Sequence, residues 1–407
     1  MVAYGGDFGD IPNLDAFCMN GIVRSDREIT PKYQEVKKVY APIYMNYSDG
    51  HLKVTNHNHH TGTENYKFMW FVQENGRQTS SGELYMPLIN PGETAEIMLP
   101  RFKFDKEKDV RLIIKVLLKT STLWADRGYE VAYEQFALSD NILSVTKENK
   151  VRDSKGESVM RLFKEIKFQA FRAPTDNDKG FGNWLAKDWK NSSLDKPVVT
   201  VKQSEQRTGD ISVEIVNCRY KSGNIDVMTE KKFNKDGSVD LKQSYTLNGD
   251  LPELPRLGIS FTIDGGYDNL SWYGRGPWES YPDRKSSAMI GRWSSKVADQ
   301  YTHYPRPQDS GNHEDVSDVI LRNKKGEGIR ISAIDSPFSF SALYYSVDDL
   351  YNTTHDCDLK QRDETILSID AAVLGLGNSS CGPGVLKKYS IDKKKVHTLH
   401  IRINKIK

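Results

Sequence analysis

The stretch YKFMWFVQENGRQTSSGELYM, residues 66–86, decides the fold of the region around it. Its two halves, Tyr66–Glu74 and Arg77–Met86, read as strands on either side of Asn75-Gly76. Asparagine and glycine tolerate the left-handed backbone that a two-residue hairpin turn demands, so this dipeptide predicts an antiparallel hairpin. Working outward, His51–Val54 precedes the hairpin as a further strand, and Thr94–Leu99, Val110–Lys119 and Tyr129–Leu138 follow it. Short strands separated by turns every ten residues or so, over roughly 100 residues, point to an immunoglobulin-like sandwich.

The period-two pattern continues downstream for much longer. Val198–Gln203, Ile211–Tyr220, Ser238–Leu247, Gly258–Ile263, Gly328–Ser332 and Val396–Ile403 all read as strands, and the helical signal between them is weak. A sheet-rich region of this size predicts a large two-sheet sandwich rather than a small barrel. Upstream, residues 1–25 are irregular and rich in Gly, Asp and Asn, a composition of function-bearing loops. One helix follows. Thr30 is placed to cap it, Pro31 suits its first turn, and Pro42 ends the pattern. Tyr33, Val36, Val39 and Tyr40 make one apolar face, which a single loop and helix cannot bury, so this segment is expected to belong to something larger. The sequence shows no internal repeat and no low-complexity linker.

A chain of 407 residues is expected to hold two or three domains. The 57 basic and 55 acidic residues leave a net charge of +2, which gives no footprint for nucleic acid or an anionic membrane. No run of about 18 apolar residues is present to span a bilayer. The first seven residues lack the basic and apolar regions of a signal peptide, and the compartment stays open between cytoplasm and periplasm. Cys18, Cys218, Cys357 and Cys381 are scattered without a CxxC pair and read as reduced thiols.

Three clusters carry candidate chemistry. Trp272–Arg284 combines aromatic faces with Glu279, Asp283, Arg275 and Arg284. The two carboxylates read either as a general acid–base pair or as partners neutralised by the two arginines; the chemistry alone favours the second. Phe171–Gly180 reads either as a mobile loop near a polar ligand or cation, or as a solvated turn. Trp184 and Trp189 beyond it are better placed to pack a short helix than to stack on a sugar. His57, His59 and His60 are metal-capable, but they fall in a turn with no acidic partner, which favours plain solvation. No phosphate loop, HExxH or GxSxG motif occurs.

Together these stretches resemble the β-galactosidases of glycoside hydrolase family 2. Tyr4-Gly5-Gly6-Asp7-Phe8-Gly9-Asp10, Asn13 and Phe17-Cys18-Met19-Asn20-Gly21 are similar to the end of that family's catalytic barrel. Phe171–Asp178 and Trp272–Arg284 resemble two signature stretches of its C-terminal β-domain. The resemblance implies a mainly β chain in three parts. Residues 1–40 would be a remnant of a TIM barrel, 41–138 the immunoglobulin-like sandwich, and 139–407 a supersandwich related in fold to galactose mutarotases. A whole TIM barrel takes about 250 residues, so most of it would lie on polypeptide outside this chain, which would account for the uncovered helix.

A retaining glycosidase needs two carboxyl groups about 5–5.5 Å apart. The family's acid/base is a Glu following an Asn, a dipeptide absent from this sequence. Its nucleophile lies upstream of the Tyr4 motif. The resemblance therefore implies that this chain holds no catalytic residue and is inactive by itself. It also implies accessory roles: Asn20 and the Phe17 carbonyl on a sodium ion that contacts galactose, Asn13 on a peripheral magnesium ion, and Phe17 as a wall of the sugar site. Gly180 would be the hinge of a lid, Lys179–Trp184, that closes over the bound sugar. Cys381 stands where the best-known members place a tryptophan that stacks under the aglycone; a thiol offers little stacking face. The implied partners are a lactose-like β-galactoside or galactose, the missing barrel part, and further copies of the full enzyme. The alternatives are a natural small subunit of a split β-galactosidase and a mutarotase-like or carbohydrate-binding sandwich.

Overall fold

The computed structural model describes residues 2–19, 21–139, 157–180, 184–378 and 384–407. They form two compact units, one of Tyr33–Ser144 with Met289–Arg292, the other of Met1–Lys32, Val145–Ala288 and Trp293–Lys407.

In the smaller unit the hairpin closes as predicted, with Glu74 opposite Arg77. Asn75 and Gly76 take φ values of 48° and 75°, the left-handed pair that matches strand twist. A Cβ is disfavoured there, so Gly76→Ala is expected to cost about 1 kcal/mol. A lower urea midpoint would register this, and an unchanged midpoint would mean that the turn relaxes freely. The four-stranded sheet runs in the order Arg77–Leu84, Tyr66–Glu74, Val110–Leu118, Glu130–Ser139. A three-stranded sheet joins Ile43–Ser48, His51–Asn56 and Thr94–Met98. Leu52, Val54, Phe68, Val72, Leu112, Ile114 and Val116 meet in one core, which makes the pair an immunoglobulin-like sandwich. Ile43–Ser48 escaped the sequence reading because only Ile43 and Met45 are fully buried, too short an alternation to stand out beside the preceding helix.

The helix begins at Pro31 and runs to Val39. Thr30, just before it, donates its hydroxyl to the Ile22 carbonyl at 2.7 Å. No residue of the helix is buried; of its apolar face Tyr33 and Val36 are half-buried while Val39 and Tyr40 stay exposed, so the face is only partly covered.

The larger unit stacks a nine-stranded antiparallel sheet on a five-stranded one. The first has the order Met289–Lys296 (this unit holding Trp293–Lys296 of it), Asn269–Gly276, Asp318–Arg322, Gly328–Ala333, His397–Ile406, Val239–Gly249, Gly223–Phe233, Ile211–Arg219, Val198–Thr208. The second has the order His313–Val316, Phe338–Leu343, Glu364–Val373, Arg256–Asp264, Phe163–Gln169. Rings from the two sheets meet across the core, Phe168 with Tyr245 at 5.7 Å and Trp272 with Phe340 at 5.8 Å. The six strands predicted for this region all form, most extended by a few residues. No helix among the described residues is long and apolar enough to cross a membrane.

Candidate functional site

The first residues of the chain are pinned to the larger unit through side chains distant in sequence. The Tyr4 ring stacks on His355 with centroids 4.6 Å apart, and its hydroxyl donates to the Thr354 carbonyl. The Asp7 carboxylate accepts the Tyr4 backbone N–H at 2.8 Å and pairs with His355 Nε2 at 2.9 Å. The backbone N–H first, then the imidazole, hold Asp7 below the usual carboxylate range. Further along, Asp15 pairs with Arg306.

The Phe171–Gly180 stretch is divided between structure and site. Arg172 and Asp178 are fully buried and face each other as a fork, Nε to Oδ2 at 3.1 Å and Nη2 to Oδ1 at 2.9 Å. The same guanidinium donates to the carbonyls of Leu374 and Gly375. Thr175 and Asp178 close a capping box that starts the short helix Asp176–Lys179. The buried fork rules out a plain solvated turn, while Asp176 and Asn177 remain exposed. Asp176 exchanges hydrogen bonds with the Gln308 amide at 2.9 and 3.0 Å.

A cleft of about 490 Å³ opens between these elements, lined by Leu14, Asp15, Ala16, Phe17, Asp176, Lys179, Gly180, Trp184 and Arg306. Phe17 sits on the short 3₁₀ turn Asp15–Cys18 and is half exposed into it. Phe17 and Gly180 are thus brought together. Gly180 has an ordinary φ of −119°, and a Cβ there would meet the Asp176 carbonyl at 3.2 Å. Burial, helped by the Arg306 guanidinium, lowers the Lys179 ammonium to about 8. Asn20 and Cys381 lie outside the described residues, as do 181–183 of the expected lid.

Asn13 is not part of the cleft lining. Its Oδ1 accepts the Asp15 N–H at 3.0 Å and its Nδ2 donates to the Asp10 carbonyl at 2.9 Å. An amide oxygen has a second lone pair, and a backbone carbonyl such as that of Phe17 is also a hard donor. These groups fit sodium or magnesium by type, but only as single members of shells that other donors would have to complete. Among the described residues no group of three or more His, Cys, Asp or Glu gathers at metal-binding distance. His57, His59 and His60 are exposed.

The two tryptophans beyond the loop behave oppositely. Trp189 is fully buried in the helix Leu185–Asn191 and donates its Nε1–H to the Glu253 carbonyl at 2.6 Å. Trp184, just before that helix, is 57% exposed and lines the cleft, so packing describes only the first of them.

Trp272–Arg284 is a structural network. Glu279 is buried and accepts from Gly311 N–H at 2.7 Å, Tyr304 hydroxyl at 2.7 Å, Thr302 at 3.2 Å and Arg284. Burial alone would raise its pKa, but the Arg284 charge and these donors bring it below the ordinary value. All four contacts donate to the carboxylate, the pattern of an ion-pair partner rather than of a general acid. Asp283 accepts from the N–H groups of Leu376 and Gly377. The expected pairing with two arginines is thereby corrected: Arg284 serves Glu279, whereas Arg275 pairs with Asp315 at 2.5 Å. A smaller polar cavity of about 90 Å³ lies between Glu279, Arg284, Tyr304, Asp309 and Asp176. Sequence reasoning missed His355, Arg306, Gln308 and Asp309; the aromatic, basic and proline-rich run Tyr304-Pro305-Arg306-Pro307-Gln308 was the signal available for two of them, Arg306 and Gln308.

Comparison with known proteins agrees along the chain. Residues 145–403 match the β-galactosidase small-chain family, 52–139 match β-galactosidase domain 4, and 1–45 match the TIM-barrel domain of glycosyl hydrolases family 2. The β-galactosidase of Priestia megaterium is 32% identical, covering 92% of this chain and 40% of that protein. Those of Streptococcus thermophilus and Kluyveromyces lactis are 29% and 27% identical, covering 92% and 96% of this chain and 39% and 40% of theirs. The chain spans about two fifths of the length of the relatives it matches. Among solved structures, a GalM/aldose epimerase homologue from C. elegans is 10% identical, covering 72% of this chain and 95% of that one with a TM-score of 0.33, a likeness too slight to bear on function. The family match over the larger sandwich, continued through the smaller one and the N-terminal segment, means that this chain belongs to the β-galactosidases of glycoside hydrolase family 2 and corresponds to their C-terminal region.

Proposed function

We propose that this chain is the scaffold and active-site rim of a retaining enzyme that hydrolyses terminal β-D-galactosides of the lactose type. The observation that carries this reading is the cleft that Phe17 and Gly180, far apart in sequence, both line in a chain of this family. In this reading the acid/base and nucleophile come from barrel polypeptide other than these 407 residues. Glu279, the carboxylate most open to a catalytic reading, is held ionised inside its own network. Phe17 walls the sugar site and Gly180 gives the rim its hinge. Asn20 and the Phe17 carbonyl would hold sodium and Asn13 magnesium, ions that would fix sugar hydroxyls by oxygen coordination. Asn20 and Cys381, the latter at the aglycone position, belong to this proposal by family likeness alone. The partners are the barrel part and further copies of the full enzyme.

The test is hydrolysis of a nitrophenyl β-galactoside. The chain alone is expected to show none. Mixed with a polypeptide carrying the barrel, it is expected to release β-galactose first, as seen by NMR. Turnover by the chain alone that Glu279→Gln abolishes would overturn the proposal.

A further inference from the structure

We infer that Trp184 is the aromatic platform of the cleft, on which the sugar ring beyond the galactosyl group stacks; this rests on the galactoside reading above. Two tryptophans five residues apart have been given opposite environments. Trp189 spends its indole on the core, with its N–H bonded and the Arg172 guanidinium 5.7 Å from its ring. Trp184 leaves more than half of its surface open, beside Phe17 and Leu14, which are 51% and 65% exposed. Three large apolar side chains turned toward one concavity mark a binding surface rather than scattered exposure.

The platform stands where the segment beyond Gly180 joins a helix. The Trp184 carbonyl accepts the Asp188 N–H at 3.0 Å, which ties its backbone to the helix that Trp189 anchors. Around it the cleft carries Asp15, Asp176, Lys179 and Arg306. Two carboxylates balance two cations, and Asp15 already pairs with Arg306. A rim of balanced charge around an indole suits a neutral polyhydroxyl ligand better than an anion or a cation, because hydroxyls both donate and accept while the C–H face of a sugar lies on the ring. At about 490 Å³ the cleft falls within the usual range for small-molecule sites and holds more than one sugar ring.

The seven tryptophans of the chain give indole N–H signals in ¹⁵N NMR spectra of the full 407-residue protein, and the one missing from Trp184→Phe identifies Trp184. Galactose, lactose and cellobiose are the probes. Lactose is expected to move that signal, and Trp184→Ala to weaken lactose binding about tenfold while leaving galactose unchanged and Trp184→Phe near the original protein. Equal lactose binding by the original protein and Trp184→Ala overturns the platform and leaves the galactoside reading intact. Binding of neither lactose nor galactose also overturns it, and the complementation assay then reports on the galactoside reading separately. Cellobiose bound as well as lactose, with the same dependence on Trp184, keeps the platform and counts against selectivity for galactosides.

Discussion

Replacing Arg172 by alanine is expected to destabilise the larger unit by about 3–5 kcal/mol, the usual cost of removing one partner of a buried ion pair. Arg172 and Asp178 are both 0% exposed, so water does not take over the role of the guanidinium. Without it Asp178 keeps the Thr175 N–H at 2.9 Å and loses both charged donors. The carbonyls of Leu374 and Gly375 lose a donor at the same stroke. Arg172→Lys should recover only part of the loss, because an ammonium lacks the planar fork that reaches Asp178 and the two carbonyls together. Adding Asp178→Asn to Arg172→Ala should recover some stability by removing the stranded charge. Urea unfolding followed by fluorescence measures all four proteins. A loss below about 1 kcal/mol for Arg172→Ala would mean that the fork does not hold this loop down. The site should suffer as well: Asp176, Lys179 and Gly180 are carried by the segment that the fork secures, so the complemented enzyme should lose activity even where the variant stays folded.

The Arg172 fork also marks where sequence reading succeeds and where it stops. Strands were legible because alternation and turn chemistry are local: Asn75-Gly76 names its own geometry, and Val239–Gly249 alternates buried and half-buried positions along its first seven residues. Neighbour order in a nine-stranded sheet was not legible, since His397–Ile406 pairs with Val239–Gly249 and Gly328–Ala333 across long separations that no local pattern encodes. The site divides in the same way. Phe17 and Gly180 could be marked by family likeness, but Arg306 and His355, which pin the N-terminal residues, sit about 290 and 350 positions from their partners. Composition also misled at Asp178, which reads as a loop acid and is a core residue. Charge in a sequence says nothing about burial until its partner is known.

Glu314 is the extreme case, and its substitution by glutamine is expected to stabilise the protein at pH 8 by on the order of 3 kcal/mol. It lies on the strand His313–Val316, buried, and accepts from Asn312 Nδ2 at 2.8 Å and Ser339 Oγ at 2.7 Å. Burial raises its pKa to about 7 from an ordinary 4.5, and these two donors with Lys285 only partly oppose the rise. A raised carboxyl binds more protons in the folded state than in the unfolded chain, so stability falls as pH climbs from about 4.5 through 7 and is level beyond. The adjacent His313 does the reverse. Burial lowers it to about 4 from 6.5, so its contribution falls as pH drops through that window. Between about 4.5 and 6.5 the two slopes oppose each other, and the original protein should be nearly flat there. Glu314→Gln removes one slope and keeps an oxygen acceptor for Asn312 and Ser339. Its stability should match the original at pH 4, rise toward pH 6.5 under His313 alone, and stay higher at pH 8. Urea midpoints at these three values measure the difference, and equal midpoints at pH 8 would show that Glu314 ionises in the folded protein at no cost.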